Sequence, residues 1–159
     1  MRRQDRKISG KEEICGIISG CRVLRLAMAD QGRPYIVPLS FGWSMDGTGR
    51  LTLFFHSARA GRKIDILAAN PEICFELDLT LGLKPADKAC DFGLGYASII
   101  GEGRAEQLTA EEDRLYALNR IMLHHTGRDD FGFSPAALQA TAVYRIEVSN
   151  YSAKSCPLK

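Results

Sequence analysis

The feature that most constrains the fold is a succession of strand-like segments with little helix between them. Six segments carry alternating apolar residues, or short apolar runs bounded by glycine and proline, a pattern typical of β-strands. They are residues 22–30, 34–43, 50–57, 72–79, 96–108 and 141–151. Parallel strands need long, usually helical crossovers, whereas antiparallel strands can be joined by short turns. The order therefore predicts a mainly β (α+β) fold, a six-stranded antiparallel or mixed barrel with peripheral helices.

Four helical segments are predicted around this barrel. They are residues 11–20, residues 61–69 ahead of Pro71, a segment after Thr109 and a short segment that opens at Ser134-Pro135. Thr109 and Glu112 have the spacing of a capping box, in which each side chain bonds a free backbone N–H at the helix start. No repeat, linker or low-complexity stretch interrupts the chain, so we expect one domain over residues 1–159.

Composition argues against several classes of protein. The net charge of +2 is too small for a nucleic-acid-binding face, and no apolar run reaches the ~18 residues of a membrane span. The basic N-terminus lacks the apolar stretch of a secretory signal. Five cysteines without a C-x-x-C pair, and the adjacent His124 and His125, favour neither a disulfide framework nor a metal site. We therefore expect a cytoplasmic protein without a bound metal, a nucleic-acid partner or a membrane anchor.

Three cations crowd the start of the helix predicted over residues 61–69. Arg59, Arg62 and Lys63 lie there with no carboxylate among them, although a helix start favours negative charge by roughly 0.3–1 kcal/mol. A bound phosphate would explain the pattern, because free backbone N–H groups at a helix start attract anions. The alternative is a solvated turn in which Arg62 or Lys63 pairs with Asp65 or Glu72.

The residues around these cations suit a phosphate. Gly61 lets the backbone approach a ligand closely, and Arg62 can grip a phosphate through two parallel hydrogen bonds. Lys63 adds a compact positive charge. His56 and Ser57, at the end of the preceding strand, can donate further hydrogen bonds.

Pro38 interrupts an otherwise apolar strand. Proline cannot donate to a strand ladder, so Pro38 belongs on an edge strand or at a bulge. The backbone of Val37, Leu39 and Ser40 could then face a planar heterocycle that needs donors and acceptors along its rim. An ordinary edge strand is the alternative. Together with the basic helix start on the neighbouring strand, Pro38 favours a phosphorylated planar cofactor.

Five short stretches in this order resemble a known family. They are MRRQDRKI, PYIVPLSFG, HSARAGRKID, ACDFG and SIIGEGRAE. Over roughly residues 1–148 the chain resembles the pyridoxamine 5'-phosphate oxidase-like flavoproteins, and within them the nitroimidazole-resistance branch. The resemblance implies a split β-barrel that binds FMN at a homodimer interface.

The resemblance also implies which residues meet the flavin. His56, Ser57, Arg62 and Lys63 would hold or flank the phosphate, and the edge of the isoalloxazine ring would be lined by Val37, Pro38, Leu39 and Ser40. Ser98 and Ile99 would approach the flavin from the dimer interface. His56 is the candidate catalytic residue, either as a proton or hydrogen-bond donor to the reacting groups or as a phosphate ligand without a chemical role.

The expected function is that of an FMN-dependent oxidoreductase which reduces a small organic substrate, such as a nitroaromatic compound. True pyridoxamine phosphate oxidases carry an Arg-rich, Trp-containing C-terminal segment, whereas Trp43 is the only tryptophan here. Oxidation of pyridoxamine phosphate is therefore not expected. The alternatives are a flavin-binding or sensor protein without turnover, and the same barrel with heme or a deazaflavin as its ligand.

Overall fold

The computed structural model describes residues 3–158, so Met1, Arg2 and Lys159 of the predicted domain lie outside the described residues. Across this range eight strands form one antiparallel sheet. They are β1 (Lys7–Ile8), β2 (Leu24–Asp30), β3 (Arg33–Leu39), β4 (Phe41–Met45), β5 (Leu51–Ala58), β6 (Glu72–Lys84), β7 (Gly93–Gln107) and β8 (Thr141–Cys156). Five of the six predicted strands are confirmed, and the one predicted over residues 34–43 is divided into β3 and β4. An antiparallel sheet buries its apolar face either against a second layer or by closing on itself into a barrel.

The sheet is a split barrel. Its strands follow the order β3-β2-β6-β7-β8-β5-β4, with β1 added beside β8. β3 and β4 stand at opposite ends of this order, yet Ser40 is the one residue between them. The sheet must therefore curl until its two end strands meet at Ser40, which makes this residue the corner of the barrel.

The strand predicted over residues 34–43 is divided at this corner. The ladder between β2 and β3 ends at the pair Leu24 and Leu39, and the next pair, Phe41 with Phe55, belongs to the ladder between β4 and β5. Ser40 lies between the two ladders and belongs to neither strand. The sequence is apolar on both sides of Ser40 and gives no sign of such a corner, which is why it predicted a single strand.

The hairpin formed by β6 and β7 is longer than predicted. Beyond a register shift between Thr80 and Gly82, the ladder continues through the pair Leu83 and Leu94. Only residues 85–92 therefore lie between the two strands.

Four helices surround the sheet in the described part of the chain: α1 (Lys11–Gly20), α2 (Arg62–Ala69), α3 (Glu111–Thr126) and α4 (Pro135–Ala140). Ser134 caps α4 by accepting a hydrogen bond from the Ala137 N–H at 3.2 Å, as expected. The capping box at Thr109 is wrong, because α3 begins after Ala110 without a side-chain cap. Three acidic residues in its first turn suit the helix dipole instead. No helix within residues 3–158 is long and apolar enough to cross a membrane.

Apolar residues fill both faces of β5. Leu51, Leu53 and Phe55 face the barrel core, whereas Phe54 joins a second apolar cluster under α3. α3 lies directly on β4 at Gly42, where an added Cβ would lie 2.5 Å from the backbone carbonyl carbon of Arg120. Gly42 is therefore required by the close approach of two backbones. β5 therefore packs on the barrel core with one face and under α3 with the other.

Candidate functional site

The predicted phosphate-binding residues lie where β5 ends and α2 begins, a region that we call the basic corner: His56, Ser57, Gly61, Arg62 and Lys63. Gly61 has φ +126°, a backbone conformation that favours glycine. Its carbonyl accepts hydrogen bonds from the N–H groups of Ile64 at 2.8 Å and Asp65 at 3.2 Å. The N–H groups of the residues before Ile64 have no intrahelical acceptor, since these are the first residues of a helix. The local backbone therefore offers free donors to an anion.

Arg62 is held by the chain itself. Its Nε and Nη2 donate to Oδ2 of Asp30 at 3.1 and 3.0 Å, and its guanidinium lies 4.2 Å from the ring centroid of Tyr35. Neither the phosphate hypothesis nor its alternative, a solvated turn, named Asp30 as a partner, because Asp30 is 32 positions away in the sequence. The expected alternative partner Glu72 binds Arg104 at 2.9 Å instead. In this structure Arg62 therefore fastens α2 to the turn between β2 and β3, and its charge is already paired.

Lys63 is the cation of the corner that remains uncompensated. Its side chain is half-buried, and its Nζ lies 5.7 Å from the ring centroid of Phe55. No carboxylate within residues 3–158 forms an ion pair with it. Burial lowers the pKa of Lys63 from its ordinary value. A partly buried charge without a partner is costly, so Lys63 is the residue of the corner best suited to an external anion. Arg59 lies outside the corner and forms no ion pair within residues 3–158 either, but it is exposed, and it donates to the carbonyl of Gln139 at 2.9 Å.

His56 and Ser57 point to opposite faces of β5, because successive side chains of a strand alternate. Ser57 follows Phe55 on the barrel side, whereas His56 follows Phe54 on the side of α3. Partial desolvation lowers the pKa of His56, and the positive charge of Lys63 lowers it further. The imidazole is therefore mainly neutral near pH 7, where it offers one N–H donor and one acceptor.

β3 is an end strand of the sheet, which confirms that Pro38 lies on an edge. Pro34 and Pro38 are four positions apart, so their backbones face the same side of the strand. Neither can donate to the ladder with β2, so this side is the open edge. Val37 and Leu39 pack their side chains against the core, and Ser40 is exposed. The backbone of the strand, rather than these two side chains, is therefore available to a ligand.

The corner at Ser40 brings β3 to the basic corner. β4 and β5 are antiparallel and Phe41 pairs with Phe55, so the residue before Phe41 lies beside the residue after Phe55. Ser40 and His56 are thus neighbours. The structure brings together the two features that the sequence singled out, the edge of β3 and the start of α2.

The two candidates on β7 have different environments. Ser98 is 8% exposed, and it pairs with Asp78 on β6 and Lys154 on β8. Ile99 is fully buried in the barrel core, and its backbone lies between two paired strands. The prediction that Ile99 approaches a flavin is therefore not supported by its position, since its side chain supports the core.

Ser98 lies far from the basic corner of its own chain. On β8 the neighbour of Ser98 is Lys154, whereas the neighbour of Ser57 is Ala142. Twelve positions of a strand correspond to roughly 40 Å along its length. Ser98 therefore lies towards the opposite end of β8 from the basic corner of its own chain.

His124 and His125 lie in the last turn of α3, but they are not cations that complement the helix dipole. Burial lowers the pKa of both histidines from the ordinary value, so both are mainly neutral near pH 7. His124 donates from Nε2 to the carbonyl of Cys21 at 2.8 Å, and its ring centroid lies 4.4 Å from that of Phe41. The donor role follows from the carbonyl, which can only accept. His124 is therefore a packing residue and not a free axial ligand for heme.

Comparison with known proteins identifies the family of the chain. A family model described as pyridoxamine 5'-phosphate oxidase matches residues 10–155. The chain belongs to this family. None of the curated proteins compared with the chain matches it.

Several solved structures are similar to this chain. One, from Bacteroides thetaiotaomicron, is provisionally described as a 5-nitroimidazole antibiotic resistance protein; it is 30% identical with a TM-score of 0.79, over 94% of this chain and 86% of that chain. An FAD-binding protein from Mesorhizobium loti is 26% identical with a TM-score of 0.66, and the match covers 95% of this chain and 97% of that chain. The flavocytochrome Anf3 from Azotobacter vinelandii is 21% identical with a TM-score of 0.77, and the match covers 100% of this chain and 74% of that chain. At this identity the likeness shows the fold alone.

Proposed function

We propose that the protein binds FMN and acts as an oxidoreductase on a small organic substrate. The observation that carries the proposal is Lys63, a half-buried cation with no carboxylate partner within residues 3–158, beside a helix start with free N–H groups. A phosphate monoester carries about −1.5 to −2 charges near pH 7 and accepts several hydrogen bonds. Such a group would neutralise Lys63 and occupy the donors at the start of α2.

The same site suits a planar ring beside the phosphate. The open edge of β3 offers backbone groups around Pro38, and the corner at Ser40 connects this edge to His56. Flavins present donors and acceptors along one rim, which an unpaired strand edge can match. One relative supports a flavin, since the Mesorhizobium loti protein is described as FAD-binding. We favour FMN because its phosphate is terminal and can enter a helix start.

The residues of the chain would bind and orient the cofactor, while a bound flavin supplies the redox chemistry. Lys63 and the N–H groups of α2 would hold the phosphate, and Ser57 could add a hydrogen bond from the barrel side. The backbone of residues 37–40 would orient the ring. His56 is mainly neutral near pH 7, so it would contribute a hydrogen bond from its N–H rather than a charge. Arg62 would position α2 through Asp30.

We also propose a homodimer in which each copy contributes Ser98 to the flavin site of the other. Ser98 and Ile100 lie on the same face of β7, and Ile100 is 48% exposed. Exposed apolar residues next to a buried serine suit a surface that a second copy covers. Light scattering should give the mass of a dimer, and a flavin-loaded monomer would contradict this part. The five free cysteines fit a reducing, cytoplasmic location.

Absorption spectra and turnover test the proposal together. The purified protein titrated with FMN should bind one flavin per chain and should oxidise NADH or NADPH with a nitroaromatic acceptor. The description of the Bacteroides relative favours this acceptor class. Stoichiometric FMN without turnover over a broad acceptor panel would instead identify a flavin carrier or sensor. A Soret band would identify heme, and failure to bind any flavin would refute the proposal.

A further inference from the structure

Four polar residues form a row across β6, β7, β8 and β1 at the level of Ser98. The directly opposed pairs of this row are Asp78 with Ser98, Ser98 with Lys154, and Lys154 with Lys7. Residues directly opposite each other on antiparallel strands have their side chains on the same face of the sheet. The next residue along β7, Ile99, is buried in the barrel core. The row therefore lies on the outer face of the sheet.

Two lysines oppose each other in this row. Lys7 and Lys154 are direct partners, and like charges in this arrangement destabilise a sheet. Neither lysine forms an ion pair within residues 3–158. The carboxylate of the row is engaged elsewhere, because Asp78 binds Arg25. Two positive charges without a carboxylate partner therefore lie beside Ser98.

Tyr96 holds cations on this face without neutralising them. It lies two positions before Ser98 on β7, so its side chain is on the same face. Nζ of Lys154 lies 5.3 Å from the centroid of the Tyr96 ring, and Nη1 of Arg6 donates to the Tyr96 hydroxyl at 3.1 Å. A neutral ring or hydroxyl attracts a cation but does not cancel its charge. The face around Ser98 therefore has a surplus of positive charge.

We propose that Lys154 is a further residue of the flavin site, and that it reaches this site from the second copy of the homodimer together with Ser98. The inference rests on the proposed function, in which each copy presents Ser98 to the flavin of the other. Lys154 is the direct neighbour of Ser98 on the same face, so a ligand that meets Ser98 also meets this positive charge. Lys154 acts on the ring, because the phosphate has its own cation in Lys63.

A positive charge beside the ring tunes the redox potential of a flavin. Lys154 stabilises the negative charge that an isoalloxazine ring gains on reduction, and this charge in turn offsets the repulsion between Lys154 and Lys7. The side chain of Lys7 is exposed, so solvent screens it more than it screens the half-buried Lys154. We therefore expect Lys154 to favour reduced over oxidised FMN, with a smaller contribution from Lys7.

The midpoint potential of bound FMN tests the inference in a reductive titration with dithionite. Lys154→Gln should reduce the preference for reduced over oxidised FMN about tenfold, which lowers the potential of the two-electron couple by about 30 mV. Lys7→Gln should change this preference less than about threefold. Lys11→Gln is the matched control and should leave the potential unchanged, because Lys11 lies on α1 and donates to the carbonyl of Asp46 at 2.7 Å.

Mixed dimers test whether Lys154 acts on the flavin of the other copy. One copy carries Lys63→Met, the other carries Lys154→Gln, and two different affinity tags allow the mixed dimer to be purified. The intact Lys63 of one copy then shares a site with the intact Lys154 of the other. The FMN that remains bound should therefore have the potential of the wild type. The potential of the Lys154→Gln homodimer would show instead that Lys154 acts within its own copy, and would overturn the inference.

Urea unfolding of the flavin-free variants separates an electrostatic effect from misfolding. Loss of one of two opposed charges should leave the unfolding midpoint of Lys154→Gln equal to or above that of the wild type. An unchanged potential in a Lys154→Gln variant that binds FMN would overturn the inference and leave the proposed function intact. A loss of affinity for oxidised FMN as large as that of Lys63→Met would also overturn it, since Lys154 would then hold the phosphate. Failure of the wild type to bind FMN would refute the proposed function and the inference with it.

Discussion

The assignment of the phosphate anchor to Lys63 rather than Arg62 predicts unequal effects of two adjacent substitutions. Lys63→Met removes the uncompensated cation, and a hydrogen bond to a charged group contributes about 1.5–3 kcal/mol. The dissociation constant for FMN should rise about 10- to 150-fold. Arg62→Met removes an ion pair to Asp30 worth about 0–1 kcal/mol at this exposed position, and a contact with Tyr35 worth about 0.5–1 kcal/mol. It should lower the free energy of unfolding by about 1 kcal/mol but change FMN affinity less than about threefold.

Quenching of FMN fluorescence on titration with protein measures the affinity, and urea unfolding measures the stability. Arg59→Met is the matched control, because it removes a third cation of the same region whose partner is the carbonyl of Gln139. The Arg59 and Arg62 variants should bind FMN almost equally. A larger loss of affinity with Arg62→Met than with Lys63→Met would refute the reasoning, since it would mean that Arg62 leaves Asp30 to bind the phosphate.

Two further predictions concern the fold. Gly42→Ala should lower the free energy of unfolding by about 2 kcal/mol in urea, because the added methyl group meets the backbone of α3. Gly47→Ala, where an added Cβ has open space, should stay within about 0.5 kcal/mol, and an equal effect of both would contradict the packing of α3. The lowered pKa values of His124 and His125 predict that stability is complete above the unfolded pKa of about 6.5 and falls as the pH drops below it. The variant His124→Asn with His125→Asn should flatten the decline in unfolding free energy between about pH 7 and pH 5, and an unchanged slope would contradict the burial of these rings.

Alternation of apolar residues was sufficient to predict the strands, because it reports which face of a strand is buried. It did not reveal the corner at Ser40. The run around Ser40 is apolar on both sides, and the corner depends on which ladder each flanking residue joins. Alternation also could not assign the face of β7 on which Ile99 lies. Ser98, Ile99 and Ile100 do not alternate in polarity, so the sequence could not show which of them faces the core.

The sequence predicted the location of the candidate site but not the ion pair between Arg62 and Asp30. Local spacing placed Gly61, Arg62 and Lys63 at a helix start, and the structure confirms that start. The partner of Arg62 could not be predicted, since Asp30 is distant in sequence and no spacing rule connects the two. The pairing of Asp30 with Arg62 leaves Lys63 as the free cation, which changes the assigned roles without moving the site.

Crystals of the protein with FMN test the central claim most directly. The account predicts that the phosphate lies at the start of α2, within hydrogen-bond distance of Nζ of Lys63 and of the backbone N–H groups, with Arg62 still bound to Asp30. The ring should lie against the open edge of β3. An empty basic corner in crystals that hold FMN elsewhere, or a Lys63 ammonium paired with a carboxylate of the chain, would contradict the account.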